Sequence, residues 1–323
     1  MQYLADYGIY LAKILTFVAA LLFFVIATLA LISKNKKRPK TGSLSISKIN
    51  DKYQEMDNLF QQEILDKKAY KSLQKIQKKR EKEKPIKKRA YLIHFDGDIR
   101  ASAVENLREE ITAILGVASP QDEVIVCVES AGGMVHSYGL GASQLQRIKD
   151  KRIPLTVIID KVAASGGYLM ACVGHKILAA PFAIIGSIGV VAQMPNFHRW
   201  LQKNNIDFEQ ITAGQFKRTL TLFGENTNKD REKFKEDLEE IHYYFKNFIT
   251  ENRPIVNIEQ VATGEHWLAT RALELKLIDG LSSSDDYLFS LSQTTDIFEV
   301  SYSTKKSLTD KISQLIKCYF FAL

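Results

Sequence analysis

The chain has 323 residues, 46% hydrophobic and 25% charged, with 44 Lys and Arg against 37 Asp and Glu. That balance excludes a disordered polymer and leaves room for one large domain or two modest ones. Three cysteines, Cys127, Cys172 and Cys318, are too few and too dispersed for a disulfide framework or a zinc knuckle, so they read as reduced thiols, the first two inside apolar runs.

In chain order, residues 14–32 come first: nineteen positions without a charge, roughly 28 Å as a helix and close to the hydrocarbon thickness of a bilayer. They predict a transmembrane anchor within residues 1–33. The segment before it has almost no basic charge, and no small-x-small cleavage site follows before Lys34, which argues against a cleaved signal peptide. Residues 34–89 then carry 19 Lys and Arg against 7 Asp and Glu, a net +12 beside the whole chain's +7. Such a block beside a span is drawn to anionic lipid headgroups and favours the cytoplasmic side. It lacks interleaved aromatics and any nucleic-acid motif, so no nucleic-acid partner is expected. Leu59, Ile64, Leu65, Leu73 and Ile76 among many Lys, Glu and Gln predict one or two charged helices, a basic stalk that closes after Pro85.

A different texture begins at Ala90 and defines a third region, 90–323. Apolar runs at 91–95, 124–128 and 155–159 alternate with helical patterns at 103–115 and 134–149, and the runs start 33 and 31 residues apart. That is the length of a strand-helix-strand crossover, and strands apolar on both faces belong in a buried parallel sheet with flanking helices. Shorter strands are expected at 177–180, 188–193, 208–212 and 297–302. Phe234, Leu238, Ile241, Phe245 and Phe248 mark an amphipathic helix over 228–252 that is expected to pack on the sheet. Helices are also expected at 269–275 and 308–320.

The chemistry concentrates at two small-residue turns. Val162-Ala163-Ala164-Ser165-Gly166-Gly167-Tyr168 follows a strand, where a serine hydroxyl can stand exposed and the next N–H can point at a developing oxyanion. A serine needs a base, and Lys217, 52 residues later in Gln215-Phe216-Lys217-Arg218, serves if burial keeps its amine neutral; Phe216, Leu220, Leu222 and Phe223 offer apolar walls. Glu129-Ser130-Ala131-Gly132-Gly133 follows the preceding strand, so Gly132 or Gly133 with Gly166 could supply oxyanion donors. The six histidines, His94, His136, His175, His198, His242 and His266, show no metal-ligand spacing and read as ordinary, and Gly139-Leu140-Gly141 lies inside a helix rather than after a strand. No metal or cofactor is expected.

Taken together, Ser130-Ala131-Gly132-Gly133, Ala164-Ser165-Gly166-Gly167-Tyr168, Gly186-Ser187-Ile188-Gly189-Val190, 216–227, 262–267 and 272–279 resemble the signal peptide peptidase A family of serine peptidases (peptidase family S49), most closely its SohB branch of bacterial inner-membrane proteins. The resemblance covers about 90–290 together with the anchor and stalk. It implies a ClpP/crotonase-like α/β fold and a Ser/Lys dyad, with Ser165 as nucleophile, Lys217 as general base, and Gly132 or Gly133 with Gly166 as oxyanion donors. It also implies a homo-oligomer in which a dyad can be completed across subunits. Ala131 stands where relatives usually have proline, and the chain holds one catalytic-type domain rather than the tandem pair of longer members. Those longer members act on the outer face of the membrane, whereas the basic stalk favours the inner one, so both sides stay open. The expected function is a membrane-anchored serine endopeptidase acting on peptides or membrane-protein fragments through an acyl-enzyme. The alternatives are crotonase-type acyl-CoA chemistry and a non-catalytic membrane scaffold.

Overall fold

The computed structural model describes residues 42–82 and 88–304, together with 7–18, 20, 21 and 24. The chain divides into two compact units, Met1–Ser43 with Thr304–Leu323, and Leu44–Ser303. In the first, residues 7–18 are helical; much of the anchor expected at 14–32 lies outside the described residues, and among those described no helix is long and apolar enough to cross a membrane. The helix expected at 308–320, with Cys318, also lies outside them.

The chain runs through β1 (Gly42–Lys48), α1 (Ile49–Ile64), α2 (Lys67–Lys82), β2 (Lys88–Gly97), α3 (Val104–Leu115), β3 (Glu123–Ser130), α4 (Val135–Asp150), β4 (Leu155–Ile159), β5 (Val162–Ala164), α5 (Gly166–Ala171), β6 (Lys176–Ala179) and β7 (Ile184–Gly186). It continues with α6 (His198–Lys203), α7 (Asn228–Asn252), α8 (Ile258–Val261), β8 (His266–Leu268), α9 (Ala269–Glu274), β9 (Gly280–Leu281), α10 (Ser284–Ser292) and β10 (Thr295–Thr304). Among the described residues, ten strands form one sheet in the order β1-β10-β2-β3-β4-β6-β9, with β5, β7 and β8 branching from β3. The ladders from β10 through β2, β3, β4 and β6 to β9 are parallel, as are β3 with β5 and β5 with β7.

The fold is α/β, but its sheet is mixed rather than purely parallel. After Gly264, which has φ +85°, the chain turns back, and β8 pairs antiparallel with β7. Positive φ also explains the missing strand at 188–193. Gly186 (φ 111°) and Ser187 (φ 51°) end the extended backbone, so the strand sits earlier, at β7. Residues 208–212 find no strand partner; Phe208 instead packs its ring 5.7 Å from that of Phe223. Within the segment read as stalk, β1 is an edge strand beside β10. Asn50, at the start of α1, donates to the Ser292 and Thr295 carbonyls at 3.0 and 2.9 Å and accepts from the Ile297 N–H at 2.7 Å.

The pleat sorts the core onto two faces. Ile93, Phe95, Val124, Val126, Leu155 and Val157 point to one side, where Leu107, Ile111 and Ile114 of α3 and Leu145 and Ile148 of α4 cover them. Ala90, Leu92, Ile125, Ile158 and Ile297 point to the other, under Leu288 of α10. Cys172 is fully buried and Cys127 partly so; both are free thiols, pushed up to about 12 mainly by burial.

The turn at 276–279 ties α7 to the sheet. Arg253, the C-cap of α7 and only 5% exposed, makes a two-pronged contact with Asp279 at 2.9 and 2.8 Å and donates to the Lys276 carbonyl at 3.0 Å. Asp279 also accepts from the Ile177 N–H at 2.7 Å. Removing one partner strands a buried charge. Asp279→Ala is therefore expected to lower unfolding free energy by about 3 kcal/mol in urea titration; a loss below about 1 kcal/mol would show that the pair carries little of the anchoring.

Candidate active site

β3, β5 and β7 end side by side, with Ser130 opposite Ala163 and Ala164 opposite Gly186. In open α/β sheets such carboxyl ends collect sites. Ser165 stands at this end, between β5 and α5, with φ 51° and ψ −118°. Those are the dihedrals of the first central position of a type II′ turn, where glycine is normally found. The conformation is held from both sides: the Ser165 N–H donates to the Gly186 carbonyl at 2.8 Å, and the Ser165 carbonyl accepts from the Leu169 N–H at 2.9 Å. The hydroxyl, by contrast, has no hydrogen-bond partner among the described residues, and the residue is partly exposed. Although no G-x-S-x-G is present, Ala164-Ser165-Gly166-Gly167 builds the same kind of strained strand-to-helix elbow.

The turn after β3 presses against this elbow. A Cβ on Gly132 would lie 2.7 Å from the Ser165 Cβ and 2.8 Å from the Gly166 nitrogen, and one on Gly166 would lie 2.4 Å from the Tyr138 ring. Beneath the turn, Ser130 Oγ lies 2.5 Å from Tyr138 Oη and accepts from the Gly132 N–H at 3.0 Å, while Tyr138 Oη donates to the Asp98 carbonyl at 2.7 Å. Burial pushes the Tyr138 phenol up, which keeps this network neutral. The Gly132 N–H is thus occupied by Ser130. Gly133 and Gly166, the first residue of α5, have N–H groups that pair with no described residue.

Two cavities meet at Ser165, and both are also lined by Gly133, Val135, Gly189 and Val190. One, about 450 Å³, is walled by Tyr138, Ala142, Leu169, Ile241, Phe245 and Phe248. The other, about 810 Å³, is bordered by Ile99, Ser187, Lys235, Glu239, His242 and Thr263. Helix α7 supplies one wall of each. It begins at the predicted position, set by a capping box in which the Asp230 N–H donates to Thr227 Oγ1 and the Thr227 N–H to Asp230 Oδ2. It packs on the core as expected, through Ile249, Phe245 and Phe248, and it also lines the cleft, where much of its apolar stripe is only partly covered.

Ser165, Gly132, Gly133 and Gly166 are therefore together, and Lys217 is not with them. It is exposed, in the irregular segment between α6 and α7, and lines neither cavity. Its expected apolar walls are half open, with Phe216, Leu222 and Phe223 all exposed by 40% or more. The sequence reading also missed two groups. Tyr138 carried no signal beyond its place on a helix. His242, grouped with the ordinary histidines, stands in the polar cavity with Nε2 buried and unpaired.

Comparison with known proteins adds independent findings. Residues 2–145 match the family description "Peptidase family S49 N-terminal" and residues 147–297 match "Peptidase family S49". A "Probable protease SohB" of Haemophilus influenzae is 45% identical, covering 96% of this chain and 92% of that protein. A "Putative protease SohB" of Buchnera aphidicola subsp. Baizongia pistaciae is 44% identical over 95% of this chain and 93% of its own. Among solved structures, a mutant of the 1510-N membrane-bound stomatin-specific protease with a substrate peptide matches 72% of this chain and 99% of its own, with a TM-score of 0.46 and 16% identity.

The Ser165 backbone yields a test of its own. Glycine relieves the positive-φ conformation and alanine does not, so Ser165→Gly is expected to be more stable than Ser165→Ala by about 1 kcal/mol in thermal melting. Equal stabilities would show that the elbow is unstrained.

Proposed function

The chain belongs to peptidase family S49 and is a protease, and we propose on that footing that it is a membrane-anchored serine endopeptidase of ClpP/crotonase-like fold that uses Ser165 as nucleophile and Lys217 as general base. One observation carries the reading: Ser165 stands on a strained elbow, its hydroxyl unpaired among the described residues, and shares a cavity with Gly133 and Gly166, whose N–H groups no described residue occupies. In the proposed reaction the Lys217 amine takes the Ser165 proton and the alkoxide attacks the scissile carbonyl. The Gly133 and Gly166 N–H groups receive the oxyanion, each worth about 3 kcal/mol of barrier. The resulting ammonium protonates the departing amine. Water, deprotonated in turn by Lys217, then releases the acyl group from Ser165.

Within one protomer Lys217 is solvated, so the reading places it against Ser165 of a neighbouring subunit in a homo-oligomer. The exposed stretch of chain that carries it supports this. Between α5 and α7, Val191 is 78% exposed, Trp200 60% and Ile211 94%, apolar side chains that a second copy could cover. A neutral Lys217 amine requires that such an interface also exclude water from it. The apolar cavity beside Ser165 supports extended apolar peptides or membrane-protein fragments as substrates. The uncharged stretch 14–32 and the basic stretch 34–89 support an anchor within 1–33, a stalk, a peptidase domain from about residue 90, and a place in the inner membrane with the bilayer as partner.

Ser165→Ala and Lys217→Ala are each expected to lower kcat for peptide hydrolysis by about 10³-fold or more in detergent-solubilised protein. Co-assembling the two inactive variants in equal amounts is expected to restore about a quarter of wild-type activity, because sites that draw serine and lysine from different protomers are again complete. No recovery, with both variants shown to co-assemble, would place the dyad within one chain. Full activity in Ser165→Ala would end the nucleophile assignment.

A further inference from the structure

α7 presents two kinds of side chain to the cleft. Ile241, Phe245 and Phe248 close the apolar cavity, whereas Lys235, Leu238, Glu239 and His242 close the polar one. Lys235 and Glu239 are exposed and pair with each other, Nζ to Oε1 at 3.4 Å. His242 has no such partner. Its Nε2 is shut off from solvent and has no hydrogen-bond partner among the described residues. Buried polar atoms in folded proteins are almost always paired, and because His242 borders the cavity, a turn of its ring would bring the unpaired nitrogen to whatever lies there.

Such a partner would lie in the polar half of the cleft that His242 borders. A neutral imidazole offers one donor and one acceptor, and a peptide main chain presents the same two functions at each residue. We propose that His242 is a substrate-positioning residue: its ring turns to hydrogen-bond the main chain of the peptide segment lying in the polar half of the cleft, on the far side of Ser165 from the apolar cavity. The inference rests on the peptidase reading of Ser165 and adds a division of labour to it. The apolar cavity selects a side chain, whereas His242 grips what all peptides share. Its contribution is to binding and is indifferent to the side chains it passes.

The test uses full-length protein in detergent and a fluorogenic peptide. His242→Ala is expected to raise KM about tenfold, the equivalent of one hydrogen bond, with kcat within about twofold. The same rise is expected for peptides that differ only in side chains on that side of the scissile bond. His242→Gln, which keeps a donor and an acceptor, is expected to recover most of the loss, and thermal melting confirms that each variant is folded. An unchanged KM, a rise that depends on the neighbouring side chains, or a defect that glutamine does not repair would overturn the assignment. Binding reads the contact without hydrolysis: in Ser165→Ala protein, adding His242→Ala is expected to weaken peptide affinity about tenfold by fluorescence anisotropy, and equal affinity counts against it. Cleavage that depends on Ser165 but ignores His242 overturns this inference alone. Wild-type protein that neither binds nor cleaves peptide overturns the peptidase reading with it.

Discussion

The site depends on two backbone turns that touch with no side chain between them. The bend after β3 and the elbow after β5 meet at Gly132, Gly166 and Gly167, and a Cβ at any of the three would collide at 2.8 Å or less with Ser165, Tyr138 or the Ser130 carbonyl. At that contact Ser165 holds a conformation that glycine would adopt more readily, and Gly133 and Gly166, whose N–H groups pair with no described residue, line the same cavity as Ser165. The parallel sheet supplies the rigidity. β3, β5 and β7 end in register, and the buried Ser130–Tyr138 network fixes the bend from below. Chemistry at this point is therefore a property of packing as much as of the serine itself.

The rest of the site is less enclosed. α7 is fastened at its C-terminal end by Arg253 and Asp279 and capped at its N-terminal end by Thr227 and Asp230, and between these points it both meets the core and walls a cleft. The segment from Val191 to Phe223 is more exposed still and carries Lys217 with it. On the proposed reading, a serine on a rigid elbow and a lysine on an open, apolar excursion belong to one site, which a second copy covering that excursion would complete.

Much of the fold was legible in the sequence, and the reasons are specific. The strands that became β2, β3 and β4 are apolar on both faces and spaced by a crossover, and 228–252 carries a helical stripe whose limits match α7. The elbow was visible in its small residues, and so was the pairing of two glycine turns. What stayed hidden depended on partners distant in the chain. β1 looked like part of a charged stalk because its neighbour β10 is far away in sequence, and the reversal at Gly264 that makes the sheet mixed leaves no periodic signal. Gly132 and Gly133 were equivalent until Ser130 was seen to occupy the first. His242 belonged to a helical pattern that gives the stripe but not what lies opposite it.

The most direct measurement is mass spectrometry of the full-length protein after reaction with a fluorophosphonate, which traps an activated serine. The expected result is one adduct on the peptide containing Ser165, lost in Lys217→Ala protein. An adduct elsewhere, or one that forms on Ser165 at the same rate without Lys217, would contradict the account.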